Sequence, residues 1–150
     1  MIDTKGMTIQ DIVRVSVEYP AVLCKFNDGV FRVGIICYHC DKQGENVHMV
    51  FCPESNADLN RSQHIVKAYQ PLFDPNKPSL QGWHGSYTDE REPKKDERCI
   101  ILVERKRSYG SRYEIHYACW DGKFSFYGYK ESAELSVLGF KHIKPNGYPY

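Results

Sequence analysis

The sequence predicts an all-β protein with minor short helices, built from two related four-stranded antiparallel units packed as one pseudo-symmetric domain. Three observations predict it. The apolar runs are short and punctuated, at strand length rather than helix length. They are rich in Val, Ile, Tyr and Phe, which suit a pleated, half-buried surface. The order of runs and turns before a proline-rich segment recurs after it.

In chain order, Thr8 followed by Asp11 caps a short N-terminal turn. Apolar runs follow at 12–17, 21–26, 30–38, 47–52 and 65–69. Within 30–38, Phe31, Val33, Ile35 and Cys37 alternate onto one face. Turns at 27–29 and 41–44 separate these runs. Ser55 followed by Asp58 caps a second short helix carrying Leu59. Leu59, Val66 and Tyr69 also share a helical spacing, but a short helix and then a strand is the preferred reading. After position 95 the runs are 99–103, 113–119, 124–129 and 137–143, with turns at 108–110 and 121–122. Tyr113, Ile115, Tyr117 and Cys119 again share a face.

The repeat units span about 12–71 and 96–146 within a single domain, 1–150. Residues 54–59 correspond to 131–135, and the run ending Cys37-Tyr38 to the run ending Cys119-Trp120. Residues 21–26 with their glycine turn correspond to 100–104 with theirs. A lone four-stranded unit buries little apolar surface, which favours two units that pack together. The strap 71–95 carries Pro71, Pro75, Pro78 and Pro93, and holds Trp83, His84 and Tyr87.

Twenty Lys and Arg oppose 19 Asp and Glu, so the net charge of +1 supplies no global field toward nucleic acid. No apolar stretch approaches the roughly 18 residues that cross a bilayer, and the first residues lack a signal-peptide core. The expectation is a cytoplasmic protein with no membrane contact. Four of the six cysteines (Cys24, Cys37, Cys99 and Cys119) sit in apolar runs and read as reduced, buried hydrophobes.

The segment 90–103, from Glu90-Arg91-Glu92-Pro93 to Ile100-Ile101-Leu102-Val103, resembles the start of a small domain of unknown function common in phage and prophage proteins. Members of that family read W-I-S-x-x-E-x-x-P, a polar stretch and V-L-V, then an aromatic strand around a D/G turn and a closing V-x-x-W. Trp120-Asp121-Gly122 resembles the middle, and Val137-Leu138-Gly139-Phe140 through Pro145 the close. Trp83 lies further upstream than the family's opening Trp, and Phe140 stands where Trp is usual. The resemblance covers about 60 residues of this sequence. It implies a phage or prophage accessory protein inside a bacterial host, and assigns no catalytic residue.

Arg105, Lys106, Arg107, Tyr109, Arg112 and Tyr113 interleave cations and tyrosines at a hairpin tip. Such a tip grips carboxylates or phosphates while a ring supplies contact area. Its structural alternative is an edge hairpin charged against strand addition. Tyr127 and Tyr129 alternate with Phe124 and Phe126, which puts tyrosines on a partly exposed face suited to a partner. A metal candidate is Cys37, Cys40, His48 and Cys52, spaced C-x₂-C-x₇-H-x₃-C. His48 and Cys52 would stand about 13 Å apart along one extended strand, so a metal-free protein without cofactors is expected. No glycine elbow, H-E-x-x-H or phosphate loop is present. The reading is a non-enzymatic binding protein acting on a bacterial host protein, as an inhibitor of a defence system. The alternative is a nucleic-acid or nucleotide binder through the basic hairpin. The third is a Cys/His-dependent enzyme.

Overall fold

A computed structural model describes residues 1–40, 46–51, 66–85, 92–126 and 135–150, with backbone alone at 9, 36–40 and 46–51. The chain divides into two units, Met1–Pro78 and Ser79–Tyr150, with the boundary inside the proline-rich segment.

The first unit opens with strand β1 (Ile2–Asp3) and helix α1 (Ile9–Glu18). The run 12–17, expected as a strand, is therefore helical. Its β-branched residues favour a strand, but a reciprocal capping box overrides them. The Asp11 N–H donates to the Thr8 hydroxyl at 3.2 Å, and the Thr8 N–H donates to the Asp11 carboxylate at 2.9 Å. Such a cap stabilises a helix start by about 1 kcal/mol. The i, i+3 pair Ile12 and Val15 is buried while Val13 and Val17 are exposed, the amphipathic pattern of a surface helix. Pro20 follows directly after the cap residue Tyr19 and helps stop the helix.

Strands β2 (Val22–Phe26), β3 (Phe31–Cys40), β4 (Asn46–Phe51) and β5 (Val66–Pro71) complete an antiparallel sheet in the order β1-β5-β2-β3-β4. The turn after β2 is closed by the Gly29 N–H on the Phe26 carbonyl, and Asp28 accepts from the Val30 N–H. The core face of β2 carries Val22, Cys24 and Phe26, packed with Val66, Tyr69 and the two helix residues. Burial pushes the Cys24 thiol pKa up, so this cysteine behaves as a small hydrophobe. The expected helix at Ser55–Asp58 lies outside the described residues.

The second unit holds β6 (Arg98–Arg107), β7 (Gly110–Trp120), β8 (Phe124–Ser125) and β9 (Leu135–Lys141), in the order β8-β7-β6-β9. Its core face packs Cys99, Ile101 and Val103 of β6 with Ala118, Phe124 and Phe140. Ile100 and Leu102, on the other face of β6, are fully buried too. This explains the unbroken apolar run 99–103, since a strand buried on both faces does not alternate. Trp83 of the proline-rich segment is buried, and His84 pairs with Phe140 through two backbone hydrogen bonds of 2.9 and 3.0 Å.

The repeat expected from the sequence is present as two similar sheets. The order β5-β2-β3-β4 recurs as β9-β6-β7-β8. Each unit also breaks register at the same place. Lys67 is the extra residue where β5 meets Lys25 and Phe26, and Leu138 is the extra residue where β9 meets Leu102 and Val103. Aligned on this bulge, Val22, Cys24 and Phe26 fall on Cys99, Ile101 and Val103, and Tyr69 falls on Phe140. The same positions are buried in both cores. The expected match of Cys37 with Cys119 is off by two residues. Cys37 lies on the strand equivalent to that of Cys119, but the residue matching Cys119 is Ile35, two positions earlier. Unit one lengthens its β3–β4 hairpin, whereas unit two lengthens β6–β7, and a slip of two residues preserves the alternation that sequence reading follows.

Candidate functional site: a basic ribbon and a Glu–Cys–His cluster

The long β6–β7 hairpin pairs from Arg98 opposite Cys119 out to Arg107 opposite Gly110. Ser108 and Tyr109 form its two-residue tip, and Gly110 enters β7 at a φ of +129°, a value that favours glycine. The described pairing of β9 with β6 ends at Arg105 opposite Leu135, so Lys106 and Arg107 lie beyond it. Lys106, Arg107, Tyr109 and Arg112 are exposed, Tyr109 at 83%.

The base of this ribbon is clamped by charge. Arg105 donates from Nε and Nη2 to the two oxygens of Glu114, at 2.8 and 3.3 Å. His116 Nε2 is 2.8 Å from the same carboxylate, and its ring stacks on Phe126 at 4.3 Å. The His116 hydrogen bond, joined by the Arg105 pair, outweighs burial and holds the Glu114 pKa at about 2. Glu114 is thus a fixed anion at neutral pH, suited to pinning a ribbon rather than to passing a proton.

The pleat divides the residues that the sequence groups together. Arg105 stands opposite Arg112, and these share a face with Arg107, Glu114 and His116. Tyr113 stands opposite Glu104, on the other face with Lys106, and is half-buried. Arg105 is committed to Glu114. The exposed group therefore narrows to Lys106, Arg107, Tyr109 and Arg112. Tyr127 and Tyr129 lie outside the described residues.

The backbone of the metal candidate sets Cys37 opposite Met49 and His48 opposite Tyr38, at consecutive positions of the β3–β4 ladder, with Cys40 opposite Asn46. Cys52 lies outside the described residues.

A different cluster appears at the opposite end of the second sheet. The Cys99 thiol donates to Glu97 Oε2 at 3.3 Å, and His142 Nδ1 is 2.6 Å from the same oxygen. Glu97 is placed by its turn: its N–H donates to the Lys94 carbonyl, and its own carbonyl accepts from the Trp120 N–H. The His142 ring packs among Phe140, Tyr150 and His84, with centroids 5.3, 5.4 and 5.3 Å away. Burial first, and then the hydrogen bond to Glu97, push the Cys99 thiol up to about 12. Burial also opposes ionisation of Glu97, but hydrogen bonds from His142, the Lys94 N–H and Cys99 prevail and hold its pKa below the usual range. Sequence reading takes Cys99 as a core hydrophobe and passes over Glu97 and His142. The spacing Glu97-x-Cys99 places both on one face of an extended chain, which is a legible signal. His142 joins them only through the β6–β9 register.

No known protein family, curated protein or solved structure matches this chain. Fold and site define its class: a protein of two similar antiparallel sheets, the second carrying an exposed basic ribbon. Among the described residues no helix is long and apolar enough to cross a membrane.

Proposed function

We propose that this chain is a non-enzymatic binding protein that engages an acidic partner protein with the tip of the β6–β7 ribbon. The observation that carries this reading is the exposure of Lys106, Arg107 and Arg112 around an 83% exposed Tyr109, on a ribbon whose base is clamped by Arg105, Glu114 and His116. Arginines on a braced ribbon can pair with carboxylates in a planar fork, and the tyrosine ring adds contact area at low entropic cost. A cysteine nucleophile at Cys99 is disfavoured, because its thiol stays protonated at neutral pH. The resemblance to the phage and prophage domain favours a bacterial host protein, such as a defence component, met in the host cytoplasm.

Affinity capture from a bacterial lysate tests the reading, with the wild-type chain beside a Lys106→Glu, Arg107→Glu, Arg112→Glu variant. A host protein retained by the wild type and lost by the variant is the expected result. Equal retention by both overturns it. Nuclease-sensitive retention of nucleic acid in place of a protein moves the assignment to the alternative.

A further inference from the structure

Glu97, Cys99 and His142 present a carboxylate oxygen, a thiol sulfur and an imidazole nitrogen that all lie within 4.8 Å of one another. We propose that these three side chains form a binding site for one zinc-class divalent cation, separate from the basic ribbon.

The duplication of the fold supplies an internal comparison. Aligned on the shared bulge, Glu97, Cys99 and His142 fall on Pro20, Val22 and Pro71 of the first unit. Val22 and Pro71 pair directly there, and the register places Cys99 beside His142 in the same way. The first sheet is thus built with no ionisable group at any of the three positions. The architecture does not require this trio, and placing three polar groups at the rim of a core needs another reason.

The chemistry of the set suits zinc. Thiolate, imidazole and carboxylate are its common ligands, at about 2.0–2.3 Å, so tetrahedral partners stand roughly 3–4 Å apart. The sulfur–oxygen separation of 3.3 Å already lies in that range, the nitrogen–oxygen separation of 2.6 Å lies just below it, and all three atoms are within 4.8 Å of one another, so small side-chain rotations suffice. Cys99 is buried at the back of the cluster, while Glu97 and His142 are partly exposed and leave a path from solvent. Packing by Phe140, Tyr150 and His84 orients the His142 ring, the supporting role that outer partners play at metal sites.

Binding balances by proton release. The Cys99 thiol loses its proton to solvent as the sulfur–metal bond forms. His142 offers the Nδ1 lone pair with its ring hydrogen on Nε2, and the hydrogen bond to Glu97 is replaced by the two bonds to the cation. A divalent charge reverses the local balance that otherwise keeps the thiol protonated. Three protein ligands leave a fourth tetrahedral position for water.

Cobalt(II) titration of the reduced, chelator-washed full chain tests the site. The expected result is a single equivalent bound with a thiolate-to-cobalt charge-transfer absorption, which added zinc abolishes. Cys99→Ser should remove that absorption. Glu97→Gln and His142→Gln should each weaken cobalt binding by at least about tenfold, with wild-type far-ultraviolet circular dichroism. A Cys37→Ser, Cys40→Ser variant should keep the absorption. No thiolate band in the wild type, or a band lost only in the Cys37, Cys40 variant, overturns the proposal. Should Cys99→Ser fail to fold, unchanged affinity in both Glu97→Gln and His142→Gln overturns it equally.

Discussion

Glu114 shows how a single side chain can set the stiffness of a binding element. It accepts from Arg105 across the β6–β7 pair and is joined on the same face by His116, two residues further along β7. Its pKa is depressed from an ordinary 4.5 to about 2, so the stability it contributes is present above 4.5 and lost as pH falls through that window. Glu114→Gln should destabilise the protein by about 1–3 kcal/mol at neutral pH, since charge-assisted hydrogen bonds are replaced by neutral ones. Urea unfolding at pH 7 and pH 3 checks this. The variant should lose less stability than the wild type between the two, and parallel losses would show that the clamp does not hold the ribbon.

At the scale of elements, Trp83 seats tightly on β9. A Cβ built at Gly139 would meet Trp83 Cβ at 3.0 Å and the His84 carbonyl at 3.2 Å. The first unit carries Ala68 at the equivalent position, so the glycine answers to the indole rather than to the sheet. Gly139→Ala should cost about 1–3 kcal/mol by overpacking. Tryptophan fluorescence during urea unfolding would report it, and an unchanged midpoint would mean that Trp83 is not held there. Most strands of this fold are legible in the chain, because Val, Ile, Tyr and Phe mark them and Asp-Gly or Asn-Asp-Gly turns separate them. The helix is less so. Residues 12–17 carry a β-branched composition, and only the Thr8–Asp11 box with the Ile12, Val15 spacing identifies them. The paired strands β6 and β9 carry no sequence signal for their register, so nothing local brings His142 to Cys99.

Over the whole molecule, a net charge of +1 means that no long-range field steers association. Any salt dependence should therefore trace to the ribbon. Replacing Lys106, Arg107 and Arg112 by Ala should slow association with an acidic partner and flatten its dependence on ionic strength, with dissociation nearly unchanged. Tyr109→Ala should instead speed dissociation, by about 1–2 kcal/mol if the ring is a central anchor. Stopped-flow association at low and physiological ionic strength separates the two, and a slope kept by the triple variant would remove the ribbon from the interface. The sequence by itself determined the β class, the doubled order of strands and the basic hairpin, because alternation, turn residues and charge runs are local properties that a strand carries with it. The apolar runs also pointed to buried cysteines, which holds for Cys24 and Cys99, whereas Cys119 is exposed. Only the tertiary structure decided the shared bulge, the division of Arg107 and Tyr113 between opposite faces, and the meeting of Glu97, Cys99 and His142. Those depend on the register between paired strands, where a shift of one residue turns every side chain to the other face.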